Sequence, residues 1–175
     1  MKIIDLTLQM YSGMPVFPGD PEVSIEMVQT FEKDGWNMRR LQINSHDGTH
    51  VNALIHGTED GKSLDNYTLE DFCGPAVIYR PGLDMSPDIG VLFRDQNIDA
   101  KIADEIKAAN PKFVGLSSVF EFDIEIEKDL LRAGIISYER LANLELLPDS
   151  FEFFGTPLNI KAGDGSPVRA FAKLS

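Results

Sequence analysis

Short strand-type segments bounded by turn residues recur along this chain from end to end, while few stretches hold a helical period. Segments 2–8, 23–28, 41–44, 75–79, 113–116, 134–137, 151–154, 158–160 and 168–174 are apolar, β-branched or alternating, as strands require. Asp34-Gly35, between 23–28 and the segment opening at Trp36, predicts a hairpin. The clearest helix is 100–110. There Ile102, Ile106 and Ala109 share one face, Lys101, Asp104, Glu105 and Lys107 take the wet side, Asp99 is placed to cap and Pro111 to stop it. Shorter helical pieces are expected at 67–72, 126–133 and 141–147. Such a mixture predicts an α/β fold, with a mixed sheet in a single domain over 1–175.

Charge narrows the partners. The 28 acidic residues outweigh 16 Lys and Arg, a net charge of −12, so nucleic acid and anionic membrane are poor partners. Cys73 is the only cysteine, which excludes an intramolecular disulfide and a Cys-rich zinc site; its apolar turn predicts a buried, inert thiol. Asp5 interrupts any apolar signal core at the N-terminus, and no apolar run approaches the roughly 18 residues of a membrane span. A cytoplasmic protein is expected. Segment 15–21 holds three prolines and a glycine, so it is a rigid extended loop. Phe17, held between two of those prolines, either plugs the core or walls a pocket.

The three histidines, His46, His50 and His56, all fall in one window, 46–56. On a straight strand His46 and His50 would stand about 13 Å apart, too far to share an ion. Asp47-Gly48 between them is a turn dipeptide, so the chain can fold back and bring the imidazoles together. Restored extended geometry at Val51 would keep His50 and Asn52 on one face. A cluster of this kind points to a metal site. With no spare His or Cys, further ligands must be Asp, Glu, Asn or water.

The window, His46-Asp47-Gly48-Thr49-His50-Val51-Asn52-Ala53-Leu54-Ile55-His56, resembles the motif His-x-Gly-Thr-His-x-Asp-Ala-Pro-x-His of the cyclase-like metal-dependent hydrolase family that includes bacterial kynurenine formamidase. Three further stretches resemble the same family, in its order: Asp5-Leu6-Thr7 with the proline loop; 130–135 continuing through Glu139, Leu141, Asn143 and Leu144; and 163–170. The resemblance implies a swivelling β/β/α domain, in dimers or tetramers, that uses one or two divalent ions to hydrolyse a formamide, a cyclic amide or a related bond. It implies His46, His50 and Glu139 as metal ligands, His56 as general acid/base and Phe17 as an aromatic against which substrate packs. Asn52 stands where the family has a bridging Asp. Glu127 falls where it has a second-metal His, and either ligates or is a solvated helix residue.

A neutral amide at position 52 makes two cations harder to hold close together. The expectation is therefore one strong site for a divalent metal, zinc first and manganese second, made by His46, His50 and Glu139 with Asn52 or water. The chemistry expected is hydrolysis of a small amide substrate by metal-activated water, His56 moving the proton. The other reading is a non-catalytic relative that binds a ligand through a degenerate site, favoured by Asn52 and Glu127.

Overall fold

The computed structural model describes residues 1–174. Eleven strands run along the described residues: β1 (Lys2–Asp5), β2 (Ser24–Gln29), β3 (Met38–Gln42), β4 (His50–Asn52), β5 (Cys73–Ile78), β6 (Gly90–Phe93), β7 (Phe113–Ser117), β8 (Ile136–Leu141), β9 (Ser150–Phe154), β10 (Gly165–Pro167) and β11 (Phe171–Leu174). Helices are α1 (Phe31–Asp34), α2 (Leu54–Gly57), α3 (Ala100–Ala109) and α4 (Ile124–Arg132). Nine strands form one mixed sheet in the order β1-β11-β9-β5-β6-β7-β8-β4-β10. The β5–β6, β6–β7 and β7–β8 pairs are parallel and the flanking pairs antiparallel, as the mixed-sheet expectation requires.

The parallel centre explains what the sequence concealed. Gly90–Phe93 is buried at every position, so it shows no alternation, and it lies in a turn-rich stretch where no strand is expected. Its side chains nonetheless go to opposite faces: Leu92 joins one core with Phe113, Tyr138 and Phe153, whereas Val91 and Phe93 join the other with Ile102, Ile106 and Leu130. Helices α3 and α4 cover that second face. Asp99 accepts a hydrogen bond from the Ile102 amide at 2.8 Å, and Asp123 caps α4 through the Glu125 and Ile126 amides. Ile102, Ala103 and Ile106 form the buried stripe of α3; Leu130 and Leu131 form that of α4.

Other expectations are corrected. Segment 158–160 is no strand: the Leu158 amide bonds the Ser166 hydroxyl, and Leu158 stays exposed. Strand β8 runs on to Leu141, so the helical turn expected over 141–147 shrinks to Leu144–Leu146. Cys73 is half-buried, because it opens β5 at the end of a 3₁₀ turn and its thiol reaches the Leu69 carbonyl. Phe17 does not plug the core; it is 61 % exposed. The hairpin of β2 and β3 forms, with a register shift between Met27 and Gln29, but α1 carries the connection and Asp34-Gly35 only ends it.

Candidate metal centre

Strand pairing assembles the site. β4 lies between β8 and β10, with His50 opposite Glu139, and Asn52 opposite both Ser137 and Gly165. The extended backbone at Val51 turns His50 and Asn52 to the same face, where Glu139 and Ser137 meet them. His46 is delivered by the turn before β4. Asp47 accepts a bond from the Asn44 amide, and Gly48 supplies φ 64°, a left-handed value that favours glycine. The His46 and His50 rings consequently stand 5.3 Å apart, edge to face. His56 comes from α2 and its ring lies against that of His46, centroids 3.9 Å apart and tilted by 36°; Glu127 comes from α4.

The hydrogen-bond partners of each ring decide its tautomer. His50 Nδ1 lies 2.9 Å from the Gly48 carbonyl, which can only accept, so Nδ1 carries the hydrogen. Its Nε2 faces Glu139 Oε1 at 3.1 Å. His46 repeats the pattern: Nδ1 lies 2.7 Å from Asn52 Oδ1, and Nε2 lies 2.8 Å from Asp164 Oδ2. The amide orientation of Asn52 is fixed because its Nδ2 must donate to Glu127 Oε1 at 2.6 Å and Glu139 Oε1 at 2.9 Å. Each Nε2 thus presents its electron pair to a carboxylate oxygen, an arrangement that requires a cation, either a proton or a metal. An imidazole oriented through Nδ1–H and offering Nε2 is the usual form of a metal ligand. His46, His56 and Asp164 in particular offer three donor atoms within 4.8 Å of one another. The donor set fits a divalent ion with nitrogen and oxygen ligands.

The site is electrostatically polarised. Burial, reinforced by the nearby Glu139 charge, pushes Glu127 up to about 7. Burial acts on Glu139 in the same sense, but the hydrogen bond and charge of His50, with the Asn52 amide, hold it down to about 2. His50 is raised above the ordinary imidazole value, burial being outweighed by Glu139. His56 moves the other way, lowered by burial and by the neighbouring His46.

A family model described as "Putative cyclase" matches residues 4–114, more than half of the chain. The chain belongs to the cyclase family. Among family-related proteins, the kynurenine formamidase of Salinibacter ruber is 29% identical, covering 97% of this chain and 96% of its own. That of Geobacillus thermodenitrificans is 25% identical, covering 95% of each. In fold, the chain is similar to isatin hydrolase A from Labrenzia aggregata, with a TM-score of 0.80 at 23% identity over 98% of this chain and 93% of the other. A protein described as a potential metal-dependent hydrolase with cyclase activity gives 0.79 at 22% identity, over 98% and 96%. The cyclase fold therefore spans the chain.

Of the residues singled out by sequence, the structure brings together His46, His50, Asn52, His56, Glu127 and Glu139. Phe17 stays outside this cluster on the proline loop. Two residues escaped notice. Ser137 donates to Glu127 at 2.9 Å, and Asp164 is the carboxylate nearest His46. Asp164 sits in Gly163-Asp164-Gly165, part of a stretch that resembles the family. Its position in that stretch was the signal available.

Proposed function

We propose that this chain hydrolyses an amide-type bond, a formamide or a cyclic amide, at a divalent metal site. The supporting observation is the repeated pairing of an oriented imidazole Nε2 with a carboxylate, His46 with Asp164 and His50 with Glu139. Kinship to proteins named kynurenine formamidase points to the same bond type. His46, His50, Asp164 and Glu139 would hold the ion, zinc by its preference for nitrogen and oxygen donors, with manganese the second choice. When bound, a divalent ion polarises a carbonyl and lowers the pKa of water.

The chain's own residues do the rest. The Gly48 carbonyl and the Asn52 amide hold His50 and His46 in the tautomer that leaves Nε2 unprotonated. His56 is the proton carrier: its side chain is partly open to solvent, and its Nδ1 stands 3.7 Å from Asp164, beyond hydrogen-bond length. It takes a proton from the attacking water and delivers it to the departing amine nitrogen. A cleft of 310 Å³ lined by Leu8, Tyr11, Met14, Pro15 and Arg140 adjoins the histidine turn, since the Thr49 hydroxyl bonds both the Leu8 amide and the Arg140 carbonyl. Phe17 follows Pro15 on the same loop, which supports assigning it to the apolar part of the substrate.

His56→Ala is the test. It is expected to lower kcat by about 10²–10⁴-fold with N-formylkynurenine or a small cyclic amide, while bound metal measured by elemental analysis stays constant. One alternative assignment has its own support, because His56 completes the three-donor group with His46 and Asp164. Loss of the ion from His56→Ala would select that role and sink the proton-carrier assignment. No measurable hydrolysis by the metal-loaded wild type would leave the non-catalytic binder.

The functional unit proposed is a homo-oligomer, a dimer or tetramer, with a second copy covering the hairpin of β2 and β3. The two strands and their connection leave Met27, Phe31, Trp36, Met38 and Leu41 exposed, and hairpins of two strands are marginal in water unless packed. Light scattering should give a multiple of the 19.5 kDa chain mass, and a Phe31→Asp, Trp36→Asp double variant should give the single-chain value. An unchanged mass in the folded variant counts against this face.

A further inference from the structure

We infer that the Asn52 side-chain nitrogen occupies the place of a second cation, so that each chain binds one divalent ion. The inference rests on the metal-site reading above and goes beyond it to the number of ions. Asn52 is fully buried, and Nδ2 lies 2.6 Å from Glu127 Oε1, 2.9 Å from Glu139 Oε1 and 3.2 Å from Ser137 Oγ. Two carboxylate oxygens converging on one atom need positive charge there. The two amide hydrogens supply it, one for each carboxylate.

The geometry leaves the amide no alternative pose. Turning it over would set the Oδ1 lone pairs against both carboxylate oxygens. An ion ligated by both carboxylates would need oxygen contacts of about 2.0–2.2 Å, in space the amide nitrogen already fills. Ser137 closes the remaining side by donating to Glu127 at 2.9 Å. Glu127 is therefore an acceptor for Asn52 and Ser137, outside the set that holds the ion, and Asn52 serves as a positioning residue for His46.

An aspartate at position 52 would change the balance at once. Three carboxylates would then converge with only the Ser137 hydroxyl and the His46 Nδ1–H donating to them, an excess of negative charge that a cation relieves. The test is metal counting on whole protein stripped with a chelator, reloaded with zinc, freed of excess metal by gel filtration and analysed for bound zinc. Wild type is expected to hold one ion per chain, Asn52→Asp two, and Glu127→Gln one, with isothermal titration reporting the same numbers. Glu127→Gln serves where Asn52→Asp does not fold without metal, since it keeps the volume and removes charge. Two ions in wild type overturn the inference and leave the hydrolase reading standing. No ion in wild type overturns both. A single ion in folded Asn52→Asp, or loss of the ion from Glu127→Gln, overturns the role given to Asn52 and Glu127.

Discussion

Replacing His50 with alanine is expected to empty the metal site and bring hydrolysis toward the buffer rate, a fall of about 10³-fold or more. His50 is 3 % exposed, its Nδ1–H is tied to Gly48, and its Nε2 points at Glu139. No other imidazole reaches that carboxylate within hydrogen-bond distance among the described residues. The same change leaves the half-buried Glu139 carboxylate with only the Asn52 amide, and losing one member of such a pair lowers stability. The amide offsets part of that, so the variant should fold with a clearly lowered Tm. Bound zinc, initial rate and a thermal melt on one preparation check all three. Retained metal together with an unchanged rate would remove His50 from the site.

Gly165→Ala should damage the site without altering any of its donor atoms. A β-carbon at Gly165 would press on His46 Cε1, lie 2.8 Å from His46 Nδ1 and 3.0 Å from the Val51 carbonyl. The backbone there is not left-handed, so strain comes only from this contact. Because β10 pairs with β4 at Gly165 and Asn52, the imidazole has to yield. Moving Nδ1 breaks its 2.7 Å bond to Asn52 and misaims Nε2. Loss of such an orienting contact costs about 10–100-fold in metal affinity. A zinc competition titration, with circular dichroism to establish an intact fold, measures it. Wild-type affinity would mean that His46 does not need this placement to bind.

The local elements were legible where a single short-range interaction fixes them. Helix α3 followed from an apolar stripe, an Asp cap and a following proline, all within its own turns. The reversal at Asp47-Gly48 followed from turn chemistry, as did the same-face placement of His50 and Asn52 from the two-residue repeat of a strand. Gly90–Phe93 was illegible because a strand buried on both faces has no alternation to display. The segment 158–160 misled for the converse reason: its apolar character is that of an exposed loop, and only its lack of a ladder partner distinguishes it from a strand.

At the metal centre the division is sharper. The sequence alone determined that any imidazole site lies within 46–56, because no other histidine exists, and that position 52 is a neutral amide. Only the tertiary structure decided what those groups face. His50 and Glu139 are 89 residues apart and meet through the β4–β8 register; His46 and Asp164 are 118 apart and meet beside the β4–β10 pair. The Asn52 carboxamide is oriented by groups from the turn before β4, from α4 and from β8 at once. Residue type is local, but which lone pair meets which hydrogen depends on strand register and helix packing, and these are set by burial across the whole sheet.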